Sequence, residues 1–377
     1  MATAANRPDH AARRLFPWAV LTAVLAVALA SPIAYSDAFV DTVLRREHLS
    51  AADLRARDAG RAVVKTLDTS VRQELAYFGV VAINASPERF IDRFADIVRF
   101  ERGPGVPQIG RFSASPRAED LAPLTLPPAD IAALAKCRPG DCALKLSADA
   151  ISRFRDRVDW SSSNVSLQVN AVARDMLLDL VRKYQARGNA ALGEYHDDDE
   201  PLSVAHEFRA VLASSHPLPL PVPRLLAYLD DYPHNRPAGA TEFFYWSVVD
   251  FGLKPTVRVN HVVIYPLDAD PSGVSHVIAI KQLYATHYFR SALELRFLAA
   301  GQGPDPRRFQ LLSLTRSRID GTSGVRGSLL RPIISRRSRN AVRGYLEHLK
   351  RQVEVGQPPA SQACSPAADA QVCVEAG

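Results

Sequence analysis

The sequence has few cysteines, little net charge and no recognisable catalytic motif. Four cysteines in 377 residues are too few for a disulfide scaffold, although they can form one or two local bridges. A formal net charge of +6 is far from the dense basic surface of a nucleic-acid-binding protein, so no nucleic-acid partner is expected. A hydrophobic fraction of 47% and a charged fraction of 23% exclude a disordered chain, a collagen-like fibre and a polytopic membrane protein.

Long uncharged runs are also scarce, and the one that stands out lies at the N-terminus. Residues 1–36 begin with three arginines and continue with an uncharged run over residues 15–36. A basic segment followed by an apolar one is typical of export, so residues 1–36 are predicted to be a signal peptide cleaved before Ser31 or a membrane anchor. The Ala- and Arg-rich composition then favours a bacterial envelope protein on the periplasmic side of the inner membrane.

Two of the cysteines lie on either side of a predicted turn. Cys137 and Cys142 flank Arg-Pro-Gly-Asp, whose Pro-Gly pair favours a tight turn that brings the two sulfurs together. In an oxidising compartment we expect a disulfide here, and no metal site. Cys364 and Cys373 lie in residues 356–377, which are predicted to be a flexible tail, and these two can pair with each other.

The chain is predicted to be α+β, with helices in its middle section and a sheet towards the C-terminus. Residues 37–70 have apolar residues at helical spacing and predict a helical lead-in. A single domain is expected over residues 71–355. It opens with a buried strand at 75–83, followed by an amphipathic helix that starts at Ser86-Pro87-Glu88. A helical insertion is predicted at about 129–235.

After Pro237 the apolar pattern changes to a period of two, which is typical of strands. Strands of an antiparallel meander are expected at Glu242–Val249, Thr256–Tyr265, Val277–Tyr284, His287–Leu298 and Phe309–Arg318. A long amphipathic helix is predicted to close the sheet, from about Pro332 to Val355. The glycines at 321, 324 and 327 lack the Lys-Ser/Thr of a P-loop and predict a plain loop or a lid before that helix.

Both ends of this predicted domain are similar to a known fold. Residues 81–90, Val-Ala-Ile-Asn-Ala-Ser-Pro-Glu-Arg-Phe, are similar to the opening strand–helix junction of the START-like, or SRPBCC, helix-grip superfamily. The C-terminal meander and helix also resemble that superfamily, in which a curved antiparallel sheet wraps the last helix around an apolar cavity. The resemblance implies binding of a hydrophobic small molecule or lipid between sheet and helix. The superfamily has no universal catalytic residues, so the resemblance supplies no active site, and we expect no cofactor.

Five residues of the meander are candidates for ligand binding, and these are Tyr284, His287, Tyr288, Arg316 and Arg318. The aromatic side chains would line a cavity if they are not simply core. Alternation along a strand places Arg316 and Arg318 on one face, where two guanidinium groups can hold a phosphate or carboxylate. The alternative is an exposed strand end at which Arg318 pairs with Asp320.

Three histidines of the meander raise the possibility of an enzyme. His261, His276 and His287 could bind zinc or supply a general base, but their spacing does not fix such a geometry. Hydrogen-bonded structural histidines are the alternative. A ligand-binding protein is therefore favoured over an envelope interaction protein without a ligand and over a His-dependent hydrolase.

The last predicted helix is strongly basic. Between Arg326 and Arg351 the sequence has eight Lys and Arg residues against the single acid Glu347. Such a helix could lie on anionic lipid near a membrane anchor, or it could pack on the sheet with a solvated outer face.

Overall fold

A single large antiparallel sheet organises the molecule. The computed structural model describes residues 40–103, 105–215, 222–250, 254–267, 272–301, 308–320 and 324–355, with side chains from Arg331 onward in the last range. Within them the sheet has eight strands in the order β1-β2-β10-β9-β8-β7-β6-β3. The strands are β1 Val63–Leu67, β2 Glu74–Asn84, β3 Gln108–Arg111, β6 Thr241–Val249, β7 Thr256–Pro266, β8 Val274–Ala285, β9 Phe289–Ala300 and β10 Arg308–Ile319.

Helices precede the sheet, connect β2 to β3, fill the gap between β3 and β6, and end the fold. They are α1 at 40–46, α2 Ala51–Asp58, α3 Pro87–Ala95, α4 Ile97–Glu101, α5 Pro128–Leu134, α6 Ala148–Arg157, α7 Val165–Arg187, α8 Val204–Ser215, α9 Pro223–Asp231 and α10 Gly324–Glu354. A separate two-stranded ladder joins β4 Glu194–Tyr195 to β5 Leu202–Ser203. The predicted α+β class, with a C-terminal antiparallel meander followed by a long helix, is confirmed.

The junction between β2 and α3 follows the predicted pattern. Ten of the eleven residues of β2 are buried, since the strand lies between β1 and β10 and is covered on both sides. The Ser86 hydroxyl accepts a hydrogen bond from the Arg89 N–H at 3.3 Å, and Pro87 occupies the first turn, where its missing N–H has no consequence.

The two faces of the sheet are covered by different helices. One face packs against α3, α4 and α10, and we call it the gripped face; its apolar residues include Val81, Ile278 and Leu311. The opposite face packs against the helical insertion α5–α9, and we call it the insertion face; its apolar residues include Val80 and Leu312. Because side chains alternate along a strand, each long strand contributes to both interiors.

Close packing of α10 on β2 requires a glycine at position 79. A Cβ atom on Gly79 would lie 2.5 Å from Leu346 Cδ1, too close for any real contact. Leu346 is fully buried, as are Leu349 and Val353 one and two turns further along α10. The helix therefore approaches the sheet most closely at β2.

Two element boundaries differ from the sequence prediction. Helix α10 begins at Gly324 rather than at Pro332, so the glycines at 324 and 327 are helical rather than part of a loop. Pro332 removes one backbone N–H, and its ring crowds the carbonyl of the preceding turn, but contacts next to it hold α10 against the domain. Arg331 Nη2 donates to Thr69 Oγ1 at 2.9 Å, and Tyr77 Oη donates to the Ser335 carbonyl at 3.2 Å.

The second difference lies in the segment expected to be a helical lead-in, residues 37–70. It contains α1 and α2, but residues 63–67 form the edge strand β1. The β-branched Val63, Val64 and Thr66 favour a strand, and β2 supplies the partner backbone that the local sequence does not reveal. Val40 and Leu44 of α1 are buried in the insertion-face core, so this segment is part of the domain.

Two predictions on the termini fall outside the described residues, namely the signal peptide or anchor at 1–36 and the pairing of Cys364 with Cys373. The predicted disulfide between Cys137 and Cys142 is present. None of the helices in the described ranges is both long and apolar enough to cross a bilayer.

Candidate functional site

The gripped face has an aromatic half, beside α3. Phe90, Phe94, Phe100 and Phe309 pack there with ring centroids 5.6–6.2 Å apart, mostly edge to face. All four side chains are buried. Aromatic packing therefore fills one end of the interface in which the sequence predicts an apolar cavity.

The other half of the gripped face carries polar side chains. Asn260 of β7 lies opposite Gln282 of β8 in the strand register and opposite Tyr245 of β6 on its other side. Arg258 lies on the same face, two residues before Asn260 in β7. Arg296 also lies on this face, in β9, which pairs with the other side of β8. Asn260 is 0%, Arg296 1% and Gln282 2% exposed, so these groups are inside the molecule.

Arg296 is the centre of a buried hydrogen-bond network that joins the sheet to α4 and α10. Its Nε donates to Glu294 Oε1 at 2.7 Å, and its Nη2 donates to Tyr345 Oη at 2.5 Å. Tyr345 Oη in turn donates to Glu101 Oε1, and Tyr245 Oη donates to Glu101 Oε2 at 3.5 Å. The network thus ties Glu101 of α4 and Tyr345 of α10 to the centre of the sheet.

Burial sets the electrostatics of this network. It raises the pKa of Glu101, and the nearby Glu294 carboxylate adds to that effect while Arg296 opposes it. It also raises the pKa of Tyr245, so this phenol is a hydrogen-bond donor at neutral pH. The positive charges of Arg296 and Arg258 both act to lower the pKa of Glu101, against the effect of burial.

Several polar atoms of this half have no hydrogen-bond partner in the structure. They are Arg258 Nε, Asn260 Nδ2, Gln282 Oε1 and Arg296 Nη1. Buried polar atoms in folded proteins are nearly always hydrogen-bonded, and an exception points to a water, an ion or a ligand. Four such atoms on one face, on three adjacent strands, are the strongest sign of a binding site in the described part of the chain.

The five predicted ligand-binding residues lie elsewhere. Arg316 and Arg318 are on the insertion face, where Arg316 Nη1 is 2.5 Å from Glu74 Oε1 and Arg318 Nη1 is 3.2 Å from Glu207 Oε2. The structure thus brings the two guanidinium groups to one face, as predicted, but gives each a carboxylate partner. Asp320 pairs instead with Lys145 at 2.6 Å.

The three aromatic candidates are also on or beside the insertion face. Tyr284 is buried, with its ring 6.2 Å from that of Tyr195. His287 Nε2 lies 3.0 Å from both carboxylate oxygens of the buried Asp130. The Tyr288 hydroxyl accepts a hydrogen bond from the Lys254 backbone N–H at 2.9 Å. Their role in ligand binding stays a prediction, and the structure does not place them beside α10.

The three histidines do not converge. His261 is on the insertion face and bonds Glu242 at 3.1 Å, whereas His276 is on the gripped face and contacts Ser275 at 3.2 Å. His287 bonds Asp130, and no group of three His, Cys, Asp or Glu side chains within the described ranges has the arrangement of a metal site. Burial lowers the pKa of His261, although the Glu242 carboxylate opposes the shift. The lowered pKa favours the neutral ring.

The polar half of the gripped face was not anticipated from the sequence, although a signal was present. Asn260 and Gln282 lie in strands in which apolar residues predominate, and Glu294 and Arg296 alternate with leucine and phenylalanine in β9. Alternation alone would place such residues on a solvated face. Only α4 and α10, which cover that face, convert them into buried groups.

Comparison with known proteins gives little further information. No family model matches the sequence, and no curated protein matches it. A solved structure described as a START superfamily protein from Mycobacterium smegmatis is similar to part of the chain, with 11% sequence identity and a TM-score of 0.22. The alignment covers 29% of this chain and 64% of that one.

Proposed function

We propose that this protein binds a small molecule between the gripped face of its sheet and α10. The observation that carries the proposal is the set of unpartnered polar atoms on Asn260, Gln282 and Arg296, three side chains that are more than nine-tenths buried. Each buried polar group left without a partner costs about 1–3 kcal/mol. Apolar residues would give a more stable interior at these positions, so a purely structural role does not account for them.

The chemistry of these atoms indicates the ligand class. Arg258 Nε, Asn260 Nδ2 and Arg296 Nη1 are donors, and Gln282 Oε1 is an acceptor. A carboxylate or carbonyl group together with one hydroxyl or amide N–H would satisfy them. The neighbouring phenylalanine rings suit an apolar portion of the same molecule. The proposed ligand is therefore a hydrophobic small molecule or lipid with a polar head group.

We also propose that the protein acts at the bacterial envelope, on the periplasmic side of the inner membrane. The pattern of residues 1–36 and the disulfide between Cys137 and Cys142 support an oxidising compartment outside the cytoplasm. One side of α10 carries the exposed residues Ile333, Arg336 and Arg343 at helical spacing, which suits contact with anionic lipid. The membrane is accordingly the proposed macromolecular partner.

The proposed ligand can be sought without knowing its identity. Protein purified natively from its source is denatured in organic solvent, and the released small molecules are quantified by mass spectrometry against protein concentration. We expect a compound in near-stoichiometric amount from the wild type and its loss from the double variant Asn260→Leu/Gln282→Met. The matched control is Asn340→Leu, on the exposed side of α10, which should retain the compound.

The same double variant distinguishes a ligand site from an unsatisfied interior. Asn260 and Gln282 each have one buried amide atom without a partner, so replacing them by apolar groups of similar size should keep or raise the midpoint of urea unfolding. A stable double variant that has lost the compound supports the proposal. A wild type that releases no compound, beside an equally stable double variant, would mean that the polar half is merely hydrated and would contradict it.

A further inference from the structure

The polar half of the gripped face already holds a balanced set of charges. Arg258 and Arg296 supply two positive charges, and Glu101 and Glu294 supply two negative ones. Arg296 is 1% exposed, and the side chain of Glu101 is 9% exposed. An anionic head group added here would leave one negative charge in excess, and an uncompensated buried charge is costly. Binding of an anion therefore requires that a positive charge enters with it.

The two carboxylates differ in their contacts with cations. Glu294 accepts hydrogen bonds from Arg296 Nε at 2.7 Å and from Arg296 Nη2 at 3.2 Å. Glu101 accepts hydrogen bonds from the phenols of Tyr345 and Tyr245 instead, and its Oε1 lies 3.8 Å from Arg296 Nη2. Glu101 is therefore the carboxylate that can be protonated without breaking an ion pair of hydrogen-bonding distance.

Four elements bring titratable or charged groups to Glu101. They are β6 with Tyr245, β7 with Arg258, β9 with Glu294 and Arg296, and α10 with Tyr345. Two further charged or titratable groups beside α4 make their hydrogen bonds elsewhere. His348 Nε2 lies 3.3 Å from the Phe100 carbonyl oxygen, and Arg111 Nη1 donates to the Ala95 carbonyl at 2.6 Å.

Burial favours the protonated form of Glu101. It raises the pKa of this carboxyl, and the Glu294 carboxylate adds to that effect, while Arg296 and Arg258 oppose it. Burial also raises the pKa of Tyr245 and of Tyr345, so both phenols keep their protons at neutral pH. The acid that responds to an added negative charge is thus Glu101.

We propose that the head group of the ligand is a carboxylate and that it binds together with one proton, which Glu101 takes up. The inference rests on the proposed function and extends it to the charge of the ligand. The carboxylate accepts from Arg258 Nε, Arg296 Nη1 and Asn260 Nδ2, and two of these donors are charged and favour an ionised acceptor. The proton passes from solvent to Glu101 Oε2, and Tyr245 Oη, 3.5 Å away, then accepts a hydrogen bond instead of donating one.

Proton uptake makes the affinity depend on pH. Because the complex holds one proton more than the free protein and ligand, binding should weaken as the pH rises. The window lies between the pKa values of Glu101 in the free protein and in the complex, and within it the change is up to about tenfold per pH unit. Below that window Glu101 is already protonated, and above it no proton is taken up.

Calorimetric titration of the full chain measures the coupling. The protein is first passed over a hydrophobic resin to remove bound lipid. The probes are octanoate and its uncharged analogue octan-1-ol, each at pH 6, 7 and 8 in two buffers that differ in ionisation enthalpy. We expect octanoate to bind more tightly than octan-1-ol, with uptake of up to about one proton, and octan-1-ol to bind without uptake.

Glu101→Gln imitates the protonated acid at nearly constant shape. It should bind octanoate without proton uptake, and at pH 8 about threefold or more tightly than the wild type does. The matched control is Glu88→Gln, which removes an exposed carboxylate from α3 and should behave as the wild type. The proton count of the wild type tests the proposal even if the variant at position 101 does not fold.

The outcomes separate this inference from the proposed function. Octan-1-ol that binds as tightly as octanoate overturns the carboxylate head group and leaves a hydrophobic ligand in place. Octanoate binding by the wild type without proton uptake, or uptake that Glu101→Gln retains, overturns the role of Glu101. Binding of neither probe to the wild type contradicts the proposed function as well.

Discussion

At the scale of single residues, the most unusual group of the described chain is a lysine inside the insertion face. Lys281 is 0% exposed, and its Nζ donates to Asn189 Oδ1 and, at 3.4 Å, to the Leu229 carbonyl. The same Nζ lies 3.7 Å from the centroid of the Phe208 ring. Burial lowers the pKa of Lys281 well below its usual range, although Asp230 opposes the shift.

The buried Lys281 should make the free energy of unfolding depend on pH in the alkaline range. Because the native pKa is depressed, the unfolded chain binds more protons than the native one at pH values between the native pKa and about 10.4. The free energy of unfolding should therefore rise with pH in that window, by up to about 1.4 kcal/mol per unit. Lys281→Met should remove this rise and be more stable than the wild type at pH 8.

Urea unfolding at pH 8, 9 and 10 measures the effect as a difference between wild type and variant, which cancels the titration of other groups. The matched control is Lys254→Met, at an exposed position, whose difference from the wild type should not vary with pH. If the free energy of unfolding changes equally with pH in the wild type and in Lys281→Met, Lys281 keeps an ordinary pKa in the native state.

At the scale of elements, the contact between α10 and β2 is the tightest packing of the gripped face. Gly79→Ala places a methyl group against Leu346 and should cost about 1–3 kcal/mol, as overpacking does. Leu346→Ala leaves a cavity and should cost about 2–5 kcal/mol. In the double variant the new methyl group occupies part of that cavity, so its loss of stability should be smaller than the sum of the two single losses by about 1 kcal/mol or more.

A double-mutant cycle followed by urea unfolding checks this coupling. The control is Gly344→Ala in the same helix, where a Cβ meets nothing within 4 Å, and which should stabilise by about 0.5–1 kcal/mol through helix propensity. Strict additivity at positions 79 and 346 would show that the helix shifts away from β2 rather than packing against it.

The sequence predicts most of the strands themselves, but it does not predict which strand or helix packs against each of them. Periodicity located β6–β10 within a few residues, because each strand has its own apolar pattern. Residues 63–67 were assigned to a helix, because their partner β2 is needed to make them a strand. The polar half was missed for the same reason. A strand shows that Asn260 and His261 face opposite ways, but not which helices cover each side.

At the scale of the whole molecule, the disulfide stabilises the connection between the insertion and the sheet. The loop closed by Cys137 and Cys142 docks on the chain beyond β4, where the Cys142 N–H donates to the Asp197 carbonyl at 3.1 Å. Asp197 in turn pairs with Lys145, which also pairs with Asp320 at the end of β10. The bridge therefore supports a chain of contacts that runs from the insertion to the last strand.

Removing both cysteines should lower the stability of the whole domain. Closing a loop of this length, with a sequence separation of 5, restricts the unfolded chain by about 2 kcal/mol. Cys137→Ser/Cys142→Ser should lose that amount in urea unfolding. Dithiothreitol should lower the wild type to the same level and leave the variant unchanged. An equal effect of the reductant on both proteins would contradict a structural role for this bridge.

The place of β2 in the sheet has a consequence for the order of folding. β2 pairs with β10 along its full length, and the ion pair between Glu74 and Arg316 joins residues 242 positions apart in the chain. The central part of the sheet cannot close until the last strand has been synthesised, so its contact order is high and folding is expected to be slow. Until then the apolar β2 has no partner on that side. Until β10 is made, this unpaired edge of β2 is the part of the nascent chain that we expect to be most prone to aggregation.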